Sequence, residues 1–413
     1  MIFFDNQRNS QRFGFDKVVE DGGNPAMGDN TSEKKNVISR AREIIDNYQG
    51  KEIRIMEVCG THTHEIFRLG LRQILPPTVR LISGPGCPVC VTPVSFIDEA
   101  VLLATDHNVT ICTFGDLVRV PGSGLIPVEA GDSTQSDSTQ SDSTQGGKPA
   151  FRKIPASLAA ARAAGARIQV VYAPQDAVAY AKEHPEEEVV FLSVGFETTT
   201  PTACLAVQEA QRDGITNFSI LTANKTMPSA YEAMRGSMDV FLYPGHVHAI
   251  TGTSICEQLA ARGTSGVVAG FTAKELMTAL AVIVKRTEEG KPFFENCYPR
   301  VVRPEGSPAA QKLVDEMMEP CDARWRGIGV LPASGMKLRE KYAGYDARIK
   351  YALPQIEGRE NPACRCGEVL QGKCLPSDCG VFGRGCTPEH PVGACMVSGE
   401  GACSAFYLYG KDL

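Results

Sequence analysis

The chain has no clustered run of Lys and Arg, no apolar stretch of membrane length and no basic leader followed by an apolar segment. Each absence excludes a class. With 42 basic against 48 acidic residues in 413, the formal charge is −6, and a nucleic-acid binder needs a basic stripe to displace counterions. The longest largely apolar stretch, residues 276–284, is under half of the roughly 20 residues a membrane helix requires. The opening MIFFDNQRNSQRF loses its apolar character after Phe4, unlike a secretory signal. A cytoplasmic protein without nucleic-acid or membrane partners is expected.

At 43% hydrophobic and 22% charged the composition is that of an ordinary globular protein, and 413 residues imply roughly two or three domains. What is abundant is cysteine. Fifteen are present, seven of them (Cys364, Cys366, Cys374, Cys379, Cys386, Cys395 and Cys403) within the last 50 residues. In a reducing compartment such thiols point to metal, cluster or redox chemistry rather than to structural disulfides.

Residues 1–32 are polar and lack apolar periodicity, so they read as a mobile extension. Helical residues 33–48 come next, and then β-branched runs at 52–58, 79–83, 109–114, 167–172, 188–194, 218–222, 239–242 and 266–271 alternate with helical stretches. That alternation predicts an α/β protein of parallel sheets. A first α/β domain is expected over 33–120 and a second over 151–272, separated at 121–150 by a low-complexity loop insertion in which DSTQ recurs. Residues 273–353 read as a helical and connecting segment returning to that core, opening with a long amphipathic stretch at 273–288, and 354–413 as a Pro- and Gly-rich tail held by a metal rather than by an apolar core.

Ligands of open α/β sheets bind beyond the carboxyl ends of the strands, and four strand ends here carry unusual chemistry. The first runs into Cys59-Gly-Thr-His62-Thr-His64, one soft and two borderline ligands suited to iron or zinc; a helix start capped by Thr61 is the alternative. The second runs into Gly84-Pro-Gly-Cys87-Pro-Val-Cys90. Its spacing suits a redox dithiol or half a zinc site, with Pro88 opening a helix whose N-terminus favours the Cys87 thiolate. A third, Gly195-Phe-Glu197-Thr198-Thr199-Thr200-Pro, offers a carboxylate and hydroxyls at a helix start that could cap it or hold cyanide, phosphate or a carboxylate. The fourth carries His246 and His248, of which one at most is expected to face a cleft. In the tail, Cys364, Cys379, Cys386 and Cys403 are four thiolates that could bind one [4Fe-4S] cluster; zinc with four thiolates is the alternative, and Cys366 could replace Cys364.

Together CGTHTHEIFRLG, SGPGCPVCVTP, FLSVGFETTTPT, WRGIGVLPASG and CTPEHPVGACMVSGEGACSAFY resemble the HypD family of [NiFe]-hydrogenase maturation factors from about Asn36 to the C-terminus. The resemblance implies two α/β domains around a cleft plus a small [4Fe-4S] domain. It also implies a cytoplasmic scaffold that, with HypC, holds the transient iron on which the Fe(CN)2CO group is built. Cyanide would come from HypE, and the finished group would go toward the hydrogenase large subunit. On this reading Cys59 ligates the transient iron, and Cys87, Cys90, His62, Glu197 and Thr198 act on it, with His64, Gly195, Thr199 and His246 lining the site. Three departures stand out: the DSTQ insertion, His248 in place of the family's Ser, and Gly270-Phe271-Thr272-Ala273 where GFEP is usual. The readings from other classes are a stand-alone iron-sulfur thiol-disulfide oxidoreductase and a zinc-stabilised binding module.

Overall fold

The computed structural model describes residues 31–127 and 151–410. The extension at 1–32 and the insertion at 121–150 fall almost wholly outside these residues. Thirteen strands are described: β1 Ile53–Glu57, β2 Val79–Ser83, β3 Thr110–Thr113, β4 Leu125–Pro127, β5 Phe151–Lys153, β6 Ile168–Val170, β7 Val189–Ser193, β8 Phe218–Thr222, β9 Val240–Pro244, β10 Ser265–Ala269, β11 Phe294–Asn296, β12 Met318–Trp325 and β13 Gly329–Leu338. They build two all-parallel sheets, one in the order β11-β10-β9-β1-β2 and the other β6-β3-β7-β8. Both sheets are covered by helices, so central strands such as β7 (VVFLS) are buried along their whole length.

The sheets are not contiguous in the chain. The expected partition at residues 121–150 puts 109–114 with the first unit and 239–242 and 266–271 with the second, whereas β3 pairs with β6 and β7, β9 pairs with β1, and β10 adds to the far side of β9. The chain leaves the first sheet after β2, builds the second, and returns. The reason is that every βαβ unit here has the same hydrophobic pattern, so only pairing tells which sheet a strand joins.

Helix Ala273–Glu288 has the predicted bounds. Thr272 and Glu275 form a capping box, and Leu276, Met277, Leu280, Ile283 and Val284 supply the buried stripe that packs with Ala41 and Ile45 of helix Thr31–Asp46. The segment read as a connector contains the antiparallel hairpin β12–β13, with an irregularity between Cys321 and Ala323. Strands β4 and β5, which flank the insertion, pair with one another, so the DSTQ segment leaves and re-enters the fold at one place. No helix among the described residues is long and apolar enough to cross a membrane. The tail is made of turns and short helices, of which Ala402–Tyr409 lies on helix Gly60–Arg68 through an edge-on pair of Phe67 and Phe406.

Candidate metal and thiol site

Cys59 lies two residues beyond β1 and is the N-cap of helix Gly60–Arg68, its Sγ accepting the His62 N–H at 3.4 Å. Cysteine, not Thr61, thus caps the helix; the Thr61 hydroxyl instead donates to Glu400 Oε1 at 2.7 Å. The Cys59 thiol is 2% exposed, and burial followed by the Glu400 charge pushes its pKa up. His62 is fully buried, and burial lowers its pKa to about 3. Its Nε2 donates to Gly270 O at 3.0 Å. A carbonyl only accepts, so Nε2 carries the proton and Nδ1 presents a bare lone pair, which has no partner among the described residues. His64 turns the other way, bonding Gly399 O of the tail at 3.0 Å.

The second strand end closes on the first. Gly60 N–H donates to Gly86 O at 3.0 Å, and a Cβ on Gly86 would stand 2.1 Å from Cys59 N. Gly86→Ala should therefore displace the Cys59 backbone and lower stability by at least about 3 kcal/mol, read as a shifted denaturation midpoint. An unshifted midpoint would show that the two loops separate freely.

Cys87 caps the single turn Pro88–Val91, with Pro88 in its first turn as expected, and accepts the Cys90 N–H at 3.2 Å. Cys90 is fully buried and its pKa rises, by burial and then by hydrogen bonding to Cys395. From Cys90 a continuous run of sulfurs enters the tail. Cys395 is fully buried, and its neighbours Cys366, Cys403 and Cys90 together hold its pKa well below the ordinary thiol value. Cys364 lies beside Cys366, and a Cβ on Gly393 would come within 2.4 Å of the Cys364 Sγ and 2.6 Å of the Cys366 Sγ.

Cys386 Sγ accepts the Val392 N–H at 3.3 Å. Of the four thiols read as cluster ligands, Cys364, Cys386 and Cys403 border this sulfur-lined volume. Cys379 sits at its outer edge, 3.7 Å from the carbonyl oxygen of Ala363, the chain neighbour of Cys364. Converging thiols, a backbone N–H aimed at sulfur and a glycine that leaves room fit an iron-sulfur cluster, whose properties depend on such hydrogen bonds.

Glu197, Thr198, Thr199 and His246 are half-buried and form a rim. Gly195 is required there, since a Cβ would fall 1.6 Å from Thr199 Oγ1. The Thr199 and Thr200 hydroxyls bond Phe196 O, so neither caps helix Thr200–Arg212. Glu197 Oε1 accepts the Met227 N–H at 2.7 Å, while Oε2 is buried without a partner. Tyr231 lies within electrostatic range of both Glu197 and Cys59. His246 and Phe271 stack at 5.1 Å, with His62 on Phe271 at 4.7 Å. Residues 245–251 are helical rather than extended, which sends His248 inward to Tyr231 OH at 3.2 Å and Cys256 Sγ at 3.5 Å.

Burial pushes the Glu197 pKa from 4.5 up to about 7. The folded protein then keeps a proton that the unfolded chain has released, so stability falls as pH rises from about 4.5 to about 7, by up to roughly 3 kcal/mol. Glu197→Gln should flatten that slope in denaturant titrations at pH 5 and pH 7.5. An identical slope would mean that the carboxylate is solvated.

Sequence reasoning did not assign Cys366 and Cys395, because their 28 intervening residues match no metal spacing. Glu400 and Arg326 were missed as well. The only cue was their position inside the glycine-bracketed motifs SGEGACSAF and WRGIG.

Fold and site together define a two-sheet α/β protein in which two sheet-end cysteine loops abut a cysteine-rich tail. A model of the family described as HypD, hydrogenase formation hypA family, matches residues 34–136 and 149–410, breaking within the DSTQ insertion. The chain is 38% identical over 373 residues to the hydrogenase maturation factor HypD of Azotobacter vinelandii, covering 88% of this chain and 90% of that protein. It is 39% identical over 365 residues to that of Escherichia coli (strain K12), covering 87% and 90%. Over 373 residues it is 40% identical to HypD2 of Bradyrhizobium diazoefficiens, covering 87% and 90%. The chain belongs to the HypD family of hydrogenase maturation factors.

Proposed function

We propose that this chain is the cytoplasmic scaffold on which the iron of the Fe(CN)2CO group is assembled, acting with HypC and taking cyanide from HypE. The observation that carries this reading is the junction of three parts. The Cys59 loop, the Cys87–Cys90 turn and the sulfur-rich tail meet within direct backbone and side-chain contact. Cys59 supplies a thiolate to the incoming iron, and the bare Nδ1 of His62, three residues on in the chain, is a second candidate ligand. A soft thiolate suits low-spin iron carrying cyanide and CO. Glu197, protonated near neutral pH, is the proton donor on the rim.

Cys364, Cys379, Cys386 and Cys403 would hold a [4Fe-4S] cluster, which when bound supplies one-electron exchange. Cys87 and Cys90 would cycle between dithiol and disulfide, closing the disulfide releasing two protons and two electrons, which the cluster would take up one at a time and pass to an external one-electron carrier. Cys395 and Cys366 lie between that pair and the tail ligands, a path for thiol exchange that never meets solvent. Burial of Cys87 and Cys90 counts against the oxidoreductase reading, since a free disulfide substrate must reach a thiolate. Fifteen free thiols also accord with a reducing compartment.

Anaerobic co-purification with HypC is the test. The complex should be brown and show cyanide and CO stretches in the infrared. A colourless zinc protein without those bands would overturn the reading, and turnover of a small disulfide by the chain alone would favour the oxidoreductase.

A further inference from the structure

The turn between β12 and β13 holds a charge outside the set of site residues. Arg326 is 5% exposed, forms no ion pair among the described residues, and has one terminal guanidinium nitrogen buried without an acceptor. A buried unpaired cation is costly, so a counter-charge is required. Asp98 lies within electrostatic range, but its oxygens bond the Ser123 N–H at 2.7 Å and the Ser123 hydroxyl at 2.5 Å.

Arg326 also bridges the two sulfur centres. Its backbone N–H donates to Val91 O and its Nε to Thr92 O, both at 2.8 Å, at the end of the Cys87–Cys90 turn. On the other side Gly327, at φ +72°, lies against Gly367, where a Cβ would come within 2.1 Å of the Gly367 Cα. Gln371 Nε2 donates to Gly327 O at 2.5 Å, fastening the turn to helix Cys366–Leu370. The Arg326 guanidinium also lies within electrostatic range of the Cys364 thiol.

We propose that Arg326 is the counter-charge of the tail's sulfur centre, a positioning residue that locks that centre against the Cys87–Cys90 turn and raises its reduction potential. The inference rests on the reading of the tail as a cluster site. A cluster held by four thiolates is anionic and gains a further negative charge on reduction, so a fixed cation nearby favours the reduced form.

The test is a redox titration of the full-length, iron-loaded protein, with iron and sulfide counted per chain. Arg326→Gln should keep its iron and brown colour, but at fixed potential its reduced-to-oxidised ratio should fall about ten-fold, which is about 59 mV for one electron. Arg326→Lys keeps the charge and should stay within about two-fold of the wild-type ratio. Iron-loaded Arg326→Gln at the wild-type potential overturns the proposal alone. If the glutamine variant does not fold, a ten-fold shift in the lysine variant overturns it. Wild-type protein that binds zinc, without iron and sulfide, overturns the cluster reading and this proposal together.

Discussion

Cys59→Ala protein isolated with HypC should keep its brown absorption and lose its cyanide and CO infrared bands, with hydrogenase maturation reduced on the order of 100-fold or more. Removing a group that only supports a ligand already costs 10–100-fold in metal affinity, so removing the ligand itself sets that floor. The fold should survive. The Cys59 Sγ caps helix Gly60–Arg68 through one hydrogen bond, and losing such a cap costs about 1 kcal/mol. Cys59→Ser separates the two roles, since serine restores the cap while a hard hydroxyl does not hold low-spin iron. Bands of wild-type intensity in the alanine variant would remove Cys59 as the ligand and promote His62, whose Nδ1 has no other partner among the described residues.

Cys386→Ala should do the reverse to the colour: most of the iron is lost, the visible absorption fades, and the tail becomes sensitive to protease. With the proposed cluster in the tail, metal binding would be folding energy. Around Cys386 the protein itself supplies a backbone turn with Val381 and Gly383, the Val392 N–H on the sulfur and an Arg119 bond to Pro388 O. The loss should be on the order of 5 kcal/mol, below the ~10–16 kcal/mol of small zinc-folded domains, because the tail also packs on helix Gly60–Arg68. Stoichiometric iron with an unchanged spectrum would take Cys386 out of the ligand set. The two variants are thus expected to fail in opposite ways, one colourless and the other coloured but without bands.

The chemistry of the site was legible because it sits in contiguous motifs. Cys59 to His64, Cys87 to Cys90 and Gly195 to Thr200 each come directly after a strand, and the loop at a strand's carboxyl end lies on the ligand side of a parallel sheet. Helix Ala273–Glu288 was readable to the residue, since its capping box and its apolar stripe are both local. Spacing was less informative in the tail. It gave four ligand candidates but left Cys366 and Cys395 without a role, and only their contacts with Cys90 and Cys403 reveal one.

The sequence by itself determined the α/β class, the strand ends that carry chemistry, the thiol-rich tail and, through its motifs, the family. Each of these is written in local periodicity or in residues that are neighbours in the chain. Tertiary structure alone decided that β9 and β10 return to the first sheet and that Gly86 touches Cys59. It also decided that His248 faces Tyr231 and Cys256, and that Arg326 stands between the two sulfur centres. Those are contacts between residues far apart in the chain. They depend on which strands pair and how closely backbones can approach, and identical βαβ patterns leave both open.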